Sequence, residues 1–153
     1  MPNTYTQIHI QSVFAVKYRA TLLDKQWRAR LFQYMIGIMN HLGHRTLALN
    51  GVEDHVHIFF GLKPDKSISE SMKMLKGESS KWINENHFSR RHFEWQGGFG
   101  AFSYRKSDVP QIVRYIHNQE EHHRKVPFVD EYKGFLKEFD VEFDERYILM
   151  PPE

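Results

Sequence analysis

Two histidines stand one residue apart in the stretch GVEDHVHIFFGL, residues 51 to 62, where His55 and His57 interrupt an otherwise apolar run. Side chains alternate faces along a β-strand, so the two imidazoles project to one side and Asp54, Val56 and Ile58 to the other. Two neutral imidazoles on one face can reach a single divalent ion. They can equally be a packed structural pair, and a third ligand decides between the readings. Local spacing supplies none. Ile58, Phe59 and Phe60 follow the pair, leaving no further Asp-His and no third alternating histidine. There is no His-Glu-x-x-His helix and no Gly-rich loop closed by Lys-Ser/Thr. The chain has no cysteine, which excludes disulfides and thiolate metal sites, so a metal here needs His, carboxylate or amide ligands.

A second candidate is SDVPQIVRYIHNQEEHHRK, residues 107 to 125. Ser107 or Asp108 can cap a helix with Pro110 in its first turn, and Pro127 closes it. Val109, Ile112, Val113 and Ile116 form its apolar seam, and at about 100° per residue Gln119 falls beside Ile112 with Tyr115 one step round. Tyr115 and Gln119 are therefore neighbours at i and i+4. Taken by themselves they describe a half-buried tyrosine beside a polar helix face.

Elements that could bring the two stretches together alternate along the chain. YTQIHIQSVFAVKYR alternates as a strand, with Ile8, Ile10, Ser12 and Phe14 against His9, Gln11, Val13 and Ala15. Asp24 caps a predicted helix reaching about Leu42, with Trp27, Leu31, Met35, Ile38 and Leu42 on one stripe and Gly43 as its stop. Two strands follow in RTLALNGVEDHVHIFFGL, with a tight turn predicted near Asn50-Gly51. A second helix from about Ser67 to Asn86 buries Ile68, Met72, Leu75, Ser79 and Trp82. The segment FEWQGGFGAFSYRKS reads as a glycine-rich loop and a fourth strand. The order β-α-β-β-α-β plus an added C-terminal helix carrying Tyr115 predicts an α+β, ferredoxin-like (RRM-like) antiparallel sheet. No repeat or linker divides it, so residues 1–153 read as a single domain.

Charge is uneven along this domain. From residue 126 onward Lys133, Lys137 and Arg146 stand against eight acidic residues, leaving eighteen basic and eleven acidic residues before it, or about −5 for the tail and +7 for the body. A basic body suits a phosphate-rich partner, as it suits ordinary solvated lysines. The N-terminus reads without a secretory leader and no apolar stretch approaches the ~18 residues of a membrane span. The expectation is a cytoplasmic protein with no membrane association.

GVEDHVHIFFGL, WQGGFGAFSYRKSDVPQIVRYIHNQEEHHRK and the early KYR together closely resemble the small single-tyrosine HUH transposases of the IS200 type, often called TnpA-like. The likeness runs from the first strand to FDERY at residues 143 to 147. It implies that Tyr115 is the nucleophile, that His55, His57 and Gln119 are metal ligands, and that single-stranded DNA, held at hairpin ends, is cleaved and rejoined through a 5′-phosphotyrosine. It also implies homodimers in which one subunit's tyrosine helix completes its partner's site. Tyr104 and Arg105 depart from the pattern, placing a second tyrosine near the site.

The residue types agree with that chemistry. A phenol with a pKa near 10 needs its proton removed or its anion stabilised before it attacks. Mixed imidazole and amide ligation with open positions suits Mg²⁺ or Mn²⁺. Exchanging a phosphodiester for a phosphotyrosine ester conserves bond energy, so no nucleotide cofactor is expected. Lys17, Tyr18 and Arg19, with Lys73 and Lys76, are candidate DNA contacts or else plain surface charge. Glu53 and Asp54 read as turn residues outside the site, and His122 as a proton-transfer partner or a helix-end histidine. Two rival readings share the fold: a domesticated nuclease acting on host repeat hairpins, and a noncatalytic RNA-binding module.

Overall fold

A computed structural model describes residues 3–144 of the chain. Its sheet has four antiparallel strands in the order β2-β3-β1-β4: β1 is His9–Ala15, β2 Arg45–Gly51, β3 His55–Gly61 and β4 Gly100–Tyr104. Helix α1 (Lys25–His41) joins β1 to β2, and α2 (Ile68–Glu85) joins β3 to β4. Three helices follow β4: α3 (Val109–His117), α4 (Gln119–His123) and α5 (Phe128–Glu138). The ferredoxin-like order of elements is the predicted one, and α5 is an addition to it.

Alternation along the strands gives the sheet two different faces. Ile10 and Phe14 of β1 and Val56, Ile58 and Phe60 of β3 point to the α1–α2 side, where Leu31, Met35, Met39, Met72, Leu75 and Ile83 complete a fully buried core. In α2 the buried stripe passes through Ile83, while Trp82 is half-buried and stacks on Tyr34 with ring centroids 4.8 Å apart. Ser67 caps this helix as expected, its Oγ accepting from Glu70 N–H at 3.0 Å. Asp24 occupies the N-cap of α1 without a side-chain cap bond.

The opposite face carries Gln11, Val13 and Ala15 of β1 with His55, His57 and Phe59 of β3, because Val13 pairs with His57 and Ala15 with His55. Helices α3 to α5 cover it through Ile116 against Ala48 and Phe59, and through Phe128 and Leu136 against Val13, Ala15 and Phe102. Polar strand residues thus lie beneath helices, enclosed by aromatic and aliphatic walls.

Two local predictions differ from the structure. The turn between β2 and β3 lies at residues 52–54, with Val52 N–H donating to His55 O at 3.1 Å, and Gly51 is still in the strand. A Cβ on Gly51 would stand 2.4 Å from the His55 carbonyl oxygen, so glycine serves close backbone approach there. The tyrosine helix breaks at Asn118 (φ −94°, ψ 19°). Asn50 Nδ2 donates to the carbonyls of Ile116 and His117 at 3.0 and 3.2 Å, stabilising the chain where the helix bends.

Candidate active site

The two histidines of β3 are fully buried, and each is held through Nδ1. His55 Nδ1 lies 2.7 Å from Asp54 Oδ1, and His57 Nδ1 lies 2.8 Å from Gln11 Oε1. Gln11 Nε2 in turn donates to the Tyr104 hydroxyl at 2.9 Å, which assigns the amide's orientation and makes His57 Nδ1 the donor. Both imidazoles therefore present the lone pair of Nε2 to the same space, the tautomer that a metal ligand needs. Asp54 belongs to this shell because it precedes β3 in the turn, where strand alternation does not dictate its direction.

Opposite those nitrogens stand side chains from α4 and α5. His123 Nε2 is 2.9 Å from His55 Nε2, and Glu131 Oε1 is 3.1 Å from both His57 Nε2 and His123 Nε2. One ligand atom from each of His55, His57, His123 and Glu131 lies within 4.8 Å of the others, a cluster able to hold a metal ion. Gln119 is fully buried, and its Oε1 lies 2.9 Å from His123 Nε2. These are nitrogen and oxygen donors with no sulfur, suited to a divalent cation of the magnesium or manganese type as well as to zinc.

Tyr115 reaches the same cluster from α3. Its hydroxyl donates to Glu131 Oε2, and His122 Nε2 lies 3.0 Å from that oxygen and 3.4 Å from the hydroxyl. Glu131 thus bridges the tyrosine and the imidazoles with its two oxygens. Burial pushes its pKa up to about 7, a tendency the neighbouring His55 opposes. Burial, reinforced by the surrounding imidazoles, pushes His123 down to about 3 and His57 well below its ordinary value. Neutral imidazoles are the form that binds metal. Burial also raises the pKa of Tyr104, and its hydroxyl accepts from Gln11, so this second tyrosine supports His57 through an amide.

A buried charge adds to the apolar packing that holds these helices. Arg28 of α1 donates to the Leu23 carbonyl and to Glu120 Oε1 of α4, both at 2.9 Å, and its side chain is only 7% exposed. This pair ties the start of α4 to the opposite layer of the fold.

Of the residues singled out in the sequence, His55, His57, Tyr115 and Gln119 meet in one place within a single chain. His123 and Glu131 join them unpredicted; His123 lies four residues after Gln119 on the next helical turn, a spacing that could have drawn attention to it. Lys17 pairs with Glu94 at 2.9 Å. Tyr18 and Arg19 follow in a strained turn that Val16 N–H fastens to Asp54 O at 2.8 Å. Lys73 is exposed on α2, on the side of the sheet away from the histidines, and Lys76 Nζ donates to the carbonyls of Gln96 and Gly98, both at 2.7 Å.

Comparison with known proteins agrees with this geometry. The family profile described as "Transposase IS200 like" matches residues 4–119. The chain is 25% identical over 118 residues to the ISDra2 transposase TnpA of Deinococcus radiodurans, covering 74% of this chain and 84% of that protein. A crystal structure from the same organism, described there as of a transposase, superposes with a TM-score of 0.60 at 24% identity, covering 78% of this chain and 96% of the other. A REP-associated tyrosine transposase bound to a REP hairpin superposes with a TM-score of 0.62 at 17% identity, covering 82% and 74%. At those identities the two structures speak for the shared fold.

Proposed function

Because the chain belongs to the family of IS200-like transposases, we propose that it is a metal-dependent enzyme that cuts single-stranded DNA and rejoins it through a phosphotyrosine on Tyr115. The observation that carries this reading is the convergence of a tyrosine hydroxyl, a carboxylate that accepts from it, and a cluster of imidazoles. His55, His57 and Gln119, with His123 and Glu131, would hold Mg²⁺ or Mn²⁺. The bound ion would polarise the scissile phosphate and stabilise developing charge.

Each residue then has a defined task. Tyr115 Oη attacks phosphorus, its proton passes to Glu131 Oε2 with His122 Nε2 beside it, and the bond to the DNA 3′-oxygen breaks. The departing 3′-oxygen takes a proton from solvent, so the products are a 5′-phosphotyrosine and a free 3′-hydroxyl, with the tyrosine's proton on Glu131. Attack by a 3′-hydroxyl on that ester reverses the sequence and returns the proton to tyrosine, which needs no nucleotide cofactor. Asp54 and Gln11 keep the imidazoles in register throughout.

The site closes within one chain, since α3 packs on its own β2 and β3 through Ile116, Ala48 and Phe59. This arrangement supports a tyrosine acting on its own subunit's cluster. It differs from the exchange between subunits that family resemblance favoured; a homodimer, if formed, would carry two self-sufficient sites. Single-stranded hairpin ends remain the proposed substrate, because a flexible strand can turn its phosphate toward a buried tyrosine and a stacked duplex resists doing so. The likeness to a REP-associated transposase gives weight to a second reading, action on host repeat hairpins by the same chemistry. Hairpin-forming sequences flanking the gene, sought in its genome, separate the two. A noncatalytic RNA-binding module fits poorly, since such domains stack bases on central strands and these strands carry buried histidines beneath helices.

The direct assay is cleavage of labelled hairpin-bearing strands from DNA beside the gene. Single strands are cut, plain duplex is spared, and chelation silences the enzyme until Mg²⁺ or Mn²⁺ is restored. Undiminished cutting in excess chelator removes the metal from the mechanism.

A further inference from the structure

We infer that the cavity lined by Tyr18, Arg19, Arg90 and Arg91 is a subsite for one nucleotide of the DNA strand beside the cut, with the Arg19 guanidinium on a phosphodiester. The inference rests on the reading of the protein as a single-strand DNA enzyme and adds a place where that strand is gripped.

Its position follows from the backbone. The chain leaves β1 at Val16, whose N–H donates to Asp54 O at 2.8 Å, and returns at Leu23, whose N–H donates to Glu53 O at 2.9 Å. Residues 17–22 thus form a loop pinned at both ends to the turn that leads into His55, and Asp54 of that turn bonds the His55 ring. The loop that lines the cavity is thus fixed, through residues 53 and 54, to the turn that carries the histidine strand.

Conformation and chemistry both point to an anion. Tyr18 and Arg19 are consecutive non-glycine residues at φ 61° and 52°, a region that residues with a Cβ rarely enter and that gathers at functional sites. Arg90 maintains the loop, donating to Thr21 O at 2.6 Å and to Asp24 Oδ1 at 3.0 Å. Arg19 is half-buried and lines the cavity, while its Nε is sealed from solvent, so the guanidinium meets a guest through its Nη groups. A guanidinium nitrogen can only donate, so that guest is an acceptor. The cavity measures about 560 Å³, and three arginines with no carboxylate line it. That volume lies in the range of small-ligand sites, roughly 300–1,000 Å³, and admits a nucleotide. Arginine's fork suits phosphate oxygens, and the Tyr18 ring offers a face for a base.

The test uses Tyr115→Phe protein, which binds without cutting, and a short fluorescent oligo(dT) followed by anisotropy across a salt series. Arg19→Gln is expected to weaken binding about tenfold and to reduce the slope of log Kd against log salt by about 0.7, the share of one single-strand phosphate contact. Arg19→Lys, which keeps the charge, should restore the slope. A folded Arg19→Gln protein with parental affinity and slope overturns the subsite while leaving the single-strand reading intact. Absence of any binding by the Tyr115→Phe parent overturns both. Should Arg19→Gln fail to fold, Tyr18→Leu carries the test: reduced affinity at unchanged slope supports the stacking face, and parental affinity rejects it.

Discussion

Glu131 turns one carboxylate oxygen to the imidazoles and the other to a tyrosine. That bridging geometry makes Glu131→Gln informative. The amide keeps the shape but cannot take the phenolic proton, so cleavage should slow by about 10²-fold or more, the usual worth of a positioned base. Single-strand affinity should hold. Wild-type cleavage rates in this variant, measured in single-turnover assays, would remove Glu131 from proton transfer. His55 and His57 are legible in the sequence because strand alternation alone puts them on one face, and Tyr115 and Gln119 because helical spacing makes them neighbours. Their supports are not. Gln11 meets His57 across paired strands, and Tyr104 meets Gln11, contacts that depend on strand register. Nothing in the segment of Glu131 itself announces its place between imidazoles and tyrosine.

Periodicity located the four strands and the first two helices because each buries a regular stripe in the sheet. The last helix is less apparent because Asp130, Glu131 and Glu138 punctuate its apolar pattern. Phe128, Tyr132, Phe135, Leu136 and Phe139 nonetheless recur at helical spacing and pack against Val13, Ala15 and Phe102. The break at Asn118 was likewise invisible, since the amide that stabilises it comes from β2. Docking of these helices depends on Arg28, a charged residue inside an apolar stripe. Arg28→Ala leaves the Leu23 carbonyl without this donor and releases Glu120 on α4, so unfolding free energy should fall by about 1–3 kcal/mol in denaturant titration. An unchanged midpoint and slope would show that the pair does not hold the layers together.

At the scale of the molecule, the charge asymmetry seen in the sequence acquires a structural meaning. The basic body presents arginines around the loop after β1, and the acidic tail segment contributes α5, whose Glu131 enters the site. No helix among the described residues is long and apolar enough to cross a membrane. Closure of the site within one chain makes a prediction about assembly. Mixing Tyr115→Phe with His57→Ala protein should return no activity even after subunits exchange, since every chain lacks a component of its own site. Recovery of cleavage in the mixture would show that the tyrosine helix crosses to a partner.

Everything in this reading depends on which hydroxyl takes the DNA. Wild-type protein incubated with a hairpin-bearing single strand and Mg²⁺ or Mn²⁺ can be digested and its DNA-linked peptide sequenced by mass spectrometry. The geometry predicts one adduct, on Tyr115, absent from Tyr115→Phe protein that still binds DNA. An adduct on Tyr104, or cleavage that persists without Tyr115, would contradict it.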